Sequence, residues 1–363
     1  MSDNVKPSEL GFLFREQFQR SKVERGTQVV LVTDANTPKD YVEASFAAAA
    51  SLEANIFEVK VANPFNQAII SSGGGGGDVI SATPGLIQAI YSADLVVAFH
   101  TALGAPWLQE GRRRGLRFLL ITDGPDQLKR LLPPPGLKEA VKNLEAITKA
   151  AREFRATSPY GTDFYCKLGQ LGVESQWGAA DEPGHVDNWC ASTSAFWPDV
   201  DSSEGTIMLV PGDGWVLPYI RFFESPVELT IEKGYIRKIK GEGTDARLME
   251  MFLKSHQKSP DDLEPYAISH LGFAVHPNSA LDCLAVHPHD MFRIASDSRS
   301  MPGVFLFSTG PNDQGGGSNS TLAHIDLPMF NCTLKYDDQV LVQDGVIVDE
   351  RLIVRPSQSA LLV

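Results

Sequence analysis

The sequence predicts an α/β protein in two parts: an N-terminal open, mostly parallel α/β sheet domain over residues 1–157, then a β-rich α+β domain over residues 158–363. Three observations predict it. Strand-type and helix-type segments alternate through the first 155 or so residues, short β-type runs take over after residue 158, and 363 residues suit about two domains.

In the first part, Gln28–Thr33 (QVVLVT) is a short apolar run suited to a strand buried on both faces. Lys39–Leu52 is Ala-rich and helical, and Thr37-Pro38 marks its start because proline is tolerated in a first helical turn. Asn55–Val61 is the next strand, and Thr83-Pro84 opens another helix. Leu95–Phe99 and Phe118–Thr122 are strands with a helix between them, and Lys138–Thr157 reads as a longer amphipathic helix. Strands separated by helices connect in parallel, with helices on both sheet faces, which is a Rossmann-like arrangement.

The second part reads differently. Thr206–Val210, Val227–Ile231, Tyr235–Gly241, Val304–Ser308, Thr333–Tyr336 and Gln339–Val348 are β-type runs. Glu232-Lys233-Gly234, Asp337-Asp338 and Gln343-Asp344-Gly345 are turn signals between them. One helix, Asp245–Ser255, is inserted. The glycine run Ser71–Gly77 lacks the Gly-Lys-Ser/Thr ending of a phosphate loop and reads as a surface loop.

Composition excludes several function classes. A net charge of −13 argues against a nucleic-acid partner, since phosphate binding needs concentrated Lys and Arg. The basic cluster Arg112-Arg113-Arg114 reads as a solvated helix end. Cys166, Cys190, Cys283 and Cys332 are widely spaced, which fits neither a disulfide framework nor a thiolate zinc site. The start Met1-Ser2-Asp3-Asn4 has no signal-peptide character, and no apolar run reaches the roughly 18 residues of a membrane span. A cytoplasmic protein without a membrane partner is expected, and a homo-oligomer.

Metal-type residues concentrate in the second part. In Leu322-Ala323-His324-Ile325-Asp326-Leu327, side chains alternate across a strand, so His324 and Asp326 share a face and form half of a metal site. The same pair also reads as a structural hydrogen bond. His270 lies in an apolar segment and reads equally as a core histidine, while His287-Pro288-His289-Asp290 is a competing cluster. Asp181-Glu182-Pro183-Gly184 and Glu204-Gly205 offer carboxylates for base or orienting work, with turn chemistry as the plain reading. Neither Gly-x-Ser-x-Gly nor His-Glu-x-x-His is present, so serine hydrolase and zincin chemistry lose their main support.

Several strings in combination resemble the bacterial 2,5-dihydroxypyridine 5,6-dioxygenases: Ala179-Ala180-Asp181-Glu182-Pro183-Gly184, Ile231-Glu232-Lys233-Gly234, Ile268-Ser269-His270-Leu271-Gly272, Phe307-Ser308-Thr309-Gly310-Pro311-Asn312, His324-Ile325-Asp326 and Asn331-Cys332. The likeness spans roughly residues 90–350. That family is a distant relative of the aminopeptidase-T-type metallopeptidases. The resemblance implies one non-haem Fe(2+) held by His270, His324 and Asp326, and an extradiol-type ring cleavage that incorporates both atoms of O2. The implied substrate is a hydroxylated N-heteroaromatic ring, 2,5-dihydroxypyridine or a close analogue such as a trihydroxypyridine. The implied product is of the N-formylmaleamate type.

The chain departs from the family around proton transfer. The family has a histidine, proposed as acid/base, in the loop after the strand matching Leu95–Val97; Leu103-Gly104-Ala105-Pro106 has none, and His100 lies four residues earlier. The family's Asp-His-Trp is here Asp187-Asn188-Trp189, with His185 close by. His100 and His185 are therefore the acid/base candidates, and Glu182 is the candidate carboxylate for contacting substrate or a ligand. Ser308 and Thr309 are candidate hydrogen-bond donors to substrate or oxygen, though both also read as a turn into Gly310-Pro311. The alternative function is a metal-dependent aminopeptidase or other hydrolase. Such two-metal enzymes need further carboxylates, and Phe273 stands where their glutamate is expected.

Overall fold

The computed structural model describes residues 5–61, 80–99, 105–280, 297 and 299–355. Along the chain run α1 (Pro7–Arg20), β1 (Gln28–Thr33), α2 (Lys39–Ser51), β2 (Asn55–Lys60), α3 (Pro84–Tyr91), β3 (Leu95–Ala98), α4 (Pro106–Arg113), β4 (Arg117–Leu120), α5 (Pro125–Arg130) and α6 (Leu137–Ala150). Short strands follow: β5 (Glu153–Thr157), β6 (Asp163–Lys167), β7 (Val173–Gln176), β8 (Val186–Asn188), β9 (Thr193–Phe196), β10 (Glu204–Leu209), β11 (Gly214–Trp215), β12 (Arg221–Phe222), β13 (Val227–Glu232) and β14 (Tyr235–Lys240). After α7 (Thr244–Ser255) come β15 (Ile268–Ala274), β16 (Phe305–Thr309), β17 (Ile325–Met329), β18 (Thr333–Tyr336), β19 (Gln339–Gln343) and β20 (Val346–Ile347). Among the described residues, no helix is long and apolar enough to cross a membrane.

The chain divides into two compact units, residues 1–133 with 176–191, and residues 134–175 with 192–363. The first holds a parallel sheet of order β2-β1-β3-β4-β8. Its inner strands β1, β3 and β4 bury both faces, as their continuous apolar runs require, while β2 lies half-exposed at the edge. Val29, Leu31, Leu95, Val97, Leu119 and Ile121 pack with α1 and α2 through Phe14, Phe18 and Ala48. The alternate residues Val30, Val32, Val96, Ala98, Phe118 and Leu120 pack with Ile90, Trp107 and Leu108 of α3 and α4.

Two expectations are corrected here. The boundary after residue 157 differs from the observed division, because β8 returns to the parallel sheet beside β4 after β5–β7 have formed elsewhere. Its three residues carry too little apolar pattern to announce a strand. The helix expected over Lys138–Thr157 stops at Ala150, and Glu153–Thr157 is a strand. Its burial alternates, with Phe154 and Ala156 inside, which is the period of a strand and not of a helix.

The second unit contains an eight-stranded sheet, β14-β13-β10-β6-β5-β18-β19-β20, and a five-stranded sheet, β17-β16-β15-β9-β7. An aromatic core joins them. Phe154 and Tyr336 of the larger sheet meet Phe196 and Phe305 of the smaller at ring-centroid distances of 5.0–5.9 Å. Tilted and edge-on ring pairs of this kind add about 0.5–1.5 kcal/mol each beyond their buried area.

Candidate metal centre

Register in the five-stranded sheet decides which residues meet. Phe305 pairs with Phe273 and Met329, Phe307 with Leu271 and Leu327, and Thr309 with Ile268 and Ile325. Directly paired residues share a face, so these side chains form one face, the one that joins the aromatic core. Ser308 pairs with Asp326, and both therefore lie on the opposite face. Between Ile268 and Leu271 the register shifts, so β15 carries one residue more than β16 there. Such a bulge re-aims a side chain. Here it leaves His270 beside Ser308 and Asp326.

His324 directly precedes β17. Its Nε2 lies 3.2 Å from Asp326 Oδ1, and His270 Nε2 lies 3.4 Å from the same oxygen. The imidazole centroids are 5.2 Å apart. His270, His324 and Asp326 can each offer a ligand atom such that all three lie within 4.8 Å of one another. Asp326 is fully buried and His324 is 3% exposed, whereas His270 is 15% exposed. Solvent access is therefore on the His270 side.

Neighbouring groups hold these ligands. The Thr309 carbonyl can only accept, so at 2.8 Å it takes a proton from His324 Nδ1 and leaves the Nε2 lone pair toward Asp326. Ser308 Oγ donates to Asp326 Oδ1 at 2.5 Å and lies 3.2 Å from His270 Nε2. Arg299 Nη1 donates to the other carboxylate oxygen, Oδ2, at 3.3 Å. On its far edge the Asp326 backbone is paired by Val216 and Leu217.

The electrostatics suit a cation. Burial pushes the His270 imidazole down to about 4, against the pull of Asp326 and helped by the neighbouring His324 and Arg299. It is neutral near pH 7, the form that ligates. Burial would raise the Asp326 carboxyl, but His324, His270 and Arg299 outweigh it and hold the group well below the usual carboxylate range. Two imidazoles and one ionised carboxylate, with a histidine tautomer set by a backbone carbonyl, fit a divalent transition metal.

Other expected residues fall in different places. Thr309 contributes its carbonyl; its side chain belongs to the core face, where its hydroxyl is buried without a hydrogen-bond partner. The expectation that this hydroxyl donates at the site is corrected, because one residue along a strand reverses the face. Glu182 and His185 belong to the first unit, on the turn entering β8, where the Glu182 carbonyl accepts from the His185 backbone N–H. His185 stacks on Trp177 at 3.8 Å, and its Nε2 donates to buried Asp187 at 2.8 Å. His100, His287, His289, Cys283 and the glycine run lie outside the described residues.

Sequence reasoning missed the roles of four residues at or behind the cluster. Arg299 carries no local motif. Trp197 packs its ring 6.0 Å from that of His270, and Gly315 lies so close to it that an added Cβ would stand 2.5 Å from the indole. Gly310 lies against His324, with no room for a side chain. The Gly315–Gly317 run and the isolated tryptophan were visible signals, but nothing local says what they pack against.

The chain resembles known proteins over nearly its whole length. Residues 9–349 match the family described as NicX: 2,5-dihydroxypyridine 5,6-dioxygenase. The chain is 32% identical over 347 residues to a 2,5-dihydroxypyridine 5,6-dioxygenase of Pseudomonas putida KT2440, covering 95% of this chain and 97% of that protein. A solved structure of the 2,5-dihydroxypyridine dioxygenase from that organism superposes with a TM-score of 0.89 at 31% identity, covering 96% of this chain and 99% of that one. Wild-type AmpT from Thermus thermophilus matches with a TM-score of 0.58 at 13% identity, over 94% of this chain and 99% of that one, which shows a shared fold.

Proposed function

The chain belongs to the family of 2,5-dihydroxypyridine 5,6-dioxygenases, and from that premise we propose that it opens the ring of 2,5-dihydroxypyridine with O2 at one Fe(II) held by His270, His324 and Asp326. The observation that carries the metal assignment is the buried two-histidine, one-carboxylate cluster, in a chain that matches the family over nearly its whole length. When bound in such a site, Fe(II) supplies open positions for O2 and a substrate oxygen, and a path for electron density between them.

The protein's own groups prepare that chemistry. The Thr309 carbonyl fixes the His324 ring, and Ser308 holds Asp326 Oδ1 beside His270. The partly exposed edge of His270 is the side of access. Cleavage between ring carbons 5 and 6, with both oxygen atoms retained, turns the hydroxyl-bearing carbon into a carboxyl and its neighbour into an N-formyl group. The product is N-formylmaleamate. The substrate's hydroxyl protons need a base, and His100, His185 and Glu182 are the candidates. At His185 the accepting atom is Nδ1, because Nε2 donates its proton to Asp187.

The test is O2 uptake by anaerobically Fe(II)-loaded protein given 2,5-dihydroxypyridine, with mass analysis after labelled O2. Uptake should match substrate loss, with two labelled oxygens in the product. Product formed without O2 uptake would sink the reading. So would peptide cleavage that depends on zinc. His324→Ala should lose the metal and keep the fold; unchanged iron content would refute the ligand set.

A further inference from the structure

We propose that Arg299 is a positioning residue that keeps Asp326 a one-oxygen ligand by holding its Oδ2 away from the metal position. The inference rests on the dioxygenase reading above.

The two oxygens of Asp326 have different surroundings. Oδ1 faces both imidazoles, at 3.2 Å from His324 Nε2 and 3.4 Å from His270 Nε2, and it accepts the Ser308 hydroxyl. Oδ2 faces the Arg299 guanidinium, with Nη1 at 3.3 Å. Carboxylates bind metals through one oxygen or both. A two-histidine, one-carboxylate triad leaves three positions of a six-coordinate metal open when each residue supplies one donor, and two when the carboxylate supplies both oxygens. A second oxygen from Asp326 would take one of those positions and crowd O2 and the ring hydroxyl into the remaining two.

The guanidinium is suited to this work because its planar fork offers N–H donors to Oδ2 and has no acceptor of its own to offer a metal. Asp297 and Ser300, on either side of Arg299 in the chain, are both held. Asp297 Oδ1 accepts from the Ala280 N–H at 2.9 Å and the Ser279 hydroxyl at 2.8 Å. The Ser300 carbonyl accepts from the His276 N–H at 3.2 Å and the Ser192 hydroxyl at 3.3 Å. Arg299 thus projects from a segment tied to two other parts of the same unit, which fixes where its charge lies.

Crystal structures of the Co(II)-loaded wild type, Arg299→Met and Arg299→Lys proteins read the binding mode without turnover. The wild type and Arg299→Lys proteins should hold the metal through Oδ1 alone, and Arg299→Met through both oxygens. Arg299→Met should keep about one metal per chain, yet its kcat/KM for O2 should fall about 10- to 100-fold, with Arg299→Lys restoring most of the loss. Both oxygens bound in the wild type, or Oδ1 alone in Arg299→Met, overturns the assignment and leaves the dioxygenase reading standing. A wild type with no metal on His270, His324 and Asp326 overturns that reading, and this inference with it.

Discussion

Gly310→Ala adds one methyl group where the backbone has no room for it. Gly310 follows β16 with φ of +124°, a conformation that side-chain-bearing residues rarely adopt. A Cβ there would stand 2.3 Å from the Ala323 carbonyl oxygen, 3.1 Å from His324 Nδ1 and 3.2 Å from His324 Cα. Gly310 itself is held. Its N–H donates to the Ala267 carbonyl at 2.9 Å, and its carbonyl accepts from Asn319 Nδ2 at 2.8 Å. Relief must therefore come largely from moving residues 323 and 324. The strained backbone costs about 1–3 kcal/mol and the overpacking a further 1–3 kcal/mol or so, so a loss of about 2–6 kcal/mol in stability is expected. Moving His324 also loosens its bond to the Thr309 carbonyl, which should weaken metal binding about 10- to 100-fold. Urea denaturation of the metal-free protein reads the first effect, and anaerobic Fe(II) titration the second. Gly316→Ala is the control: φ is +90° there, and an added Cβ meets nothing within 4 Å. It should cost only the backbone's 1–2 kcal/mol or so and leave metal affinity unchanged. If Gly310→Ala bound metal as tightly as the parent, the idea that this close approach sets His324 would be wrong.

Thr309→Val removes a buried hydroxyl that has no partner and keeps both the volume and the carbonyl that orients His324. It should raise stability by about 1 kcal/mol with metal content unchanged, and lost metal would show that the hydroxyl matters to the site after all. Asp213 gives a pH signature. Burial raises its carboxyl to about 6, against backbone N–H bonds from Phe330 and Val210. The folded protein therefore binds a proton more tightly than the unfolded chain, so this group's contribution to stability is greatest in acid and is lost as pH rises toward 6. Relative to Asp213→Asn, the wild type should be about 1 kcal/mol better off at pH 5 than at pH 7. A stability difference independent of pH, measured by denaturant unfolding, would contradict the assignment.

Some of this protein is legible in the sequence alone. The apolar runs at Gln28–Thr33, Leu95–Ala98 and Arg117–Leu120 announce strands buried on both faces, and helices between them imply a parallel sheet. Alternation along Ala323–Leu327 places His324 and Asp326 on one face, since side-chain direction within a strand is a local property. His270 needed the family resemblance, because one histidine in an apolar run carries no sign of its partner. What tertiary structure decided was everything that depends on pairing. The register of β15, β16 and β17 sends Ser308 to the ligand face and Thr309 to the core, and the bulge before Leu271 leaves His270 beside Ser308 and Asp326. Arg299 reaches Asp326 across 27 residues of chain, and β8 joins a sheet whose other strands end at Leu120. Local periodicity states which residues can share a face. Which faces then meet is set by hydrogen-bonded register between distant segments, and no single segment contains that information.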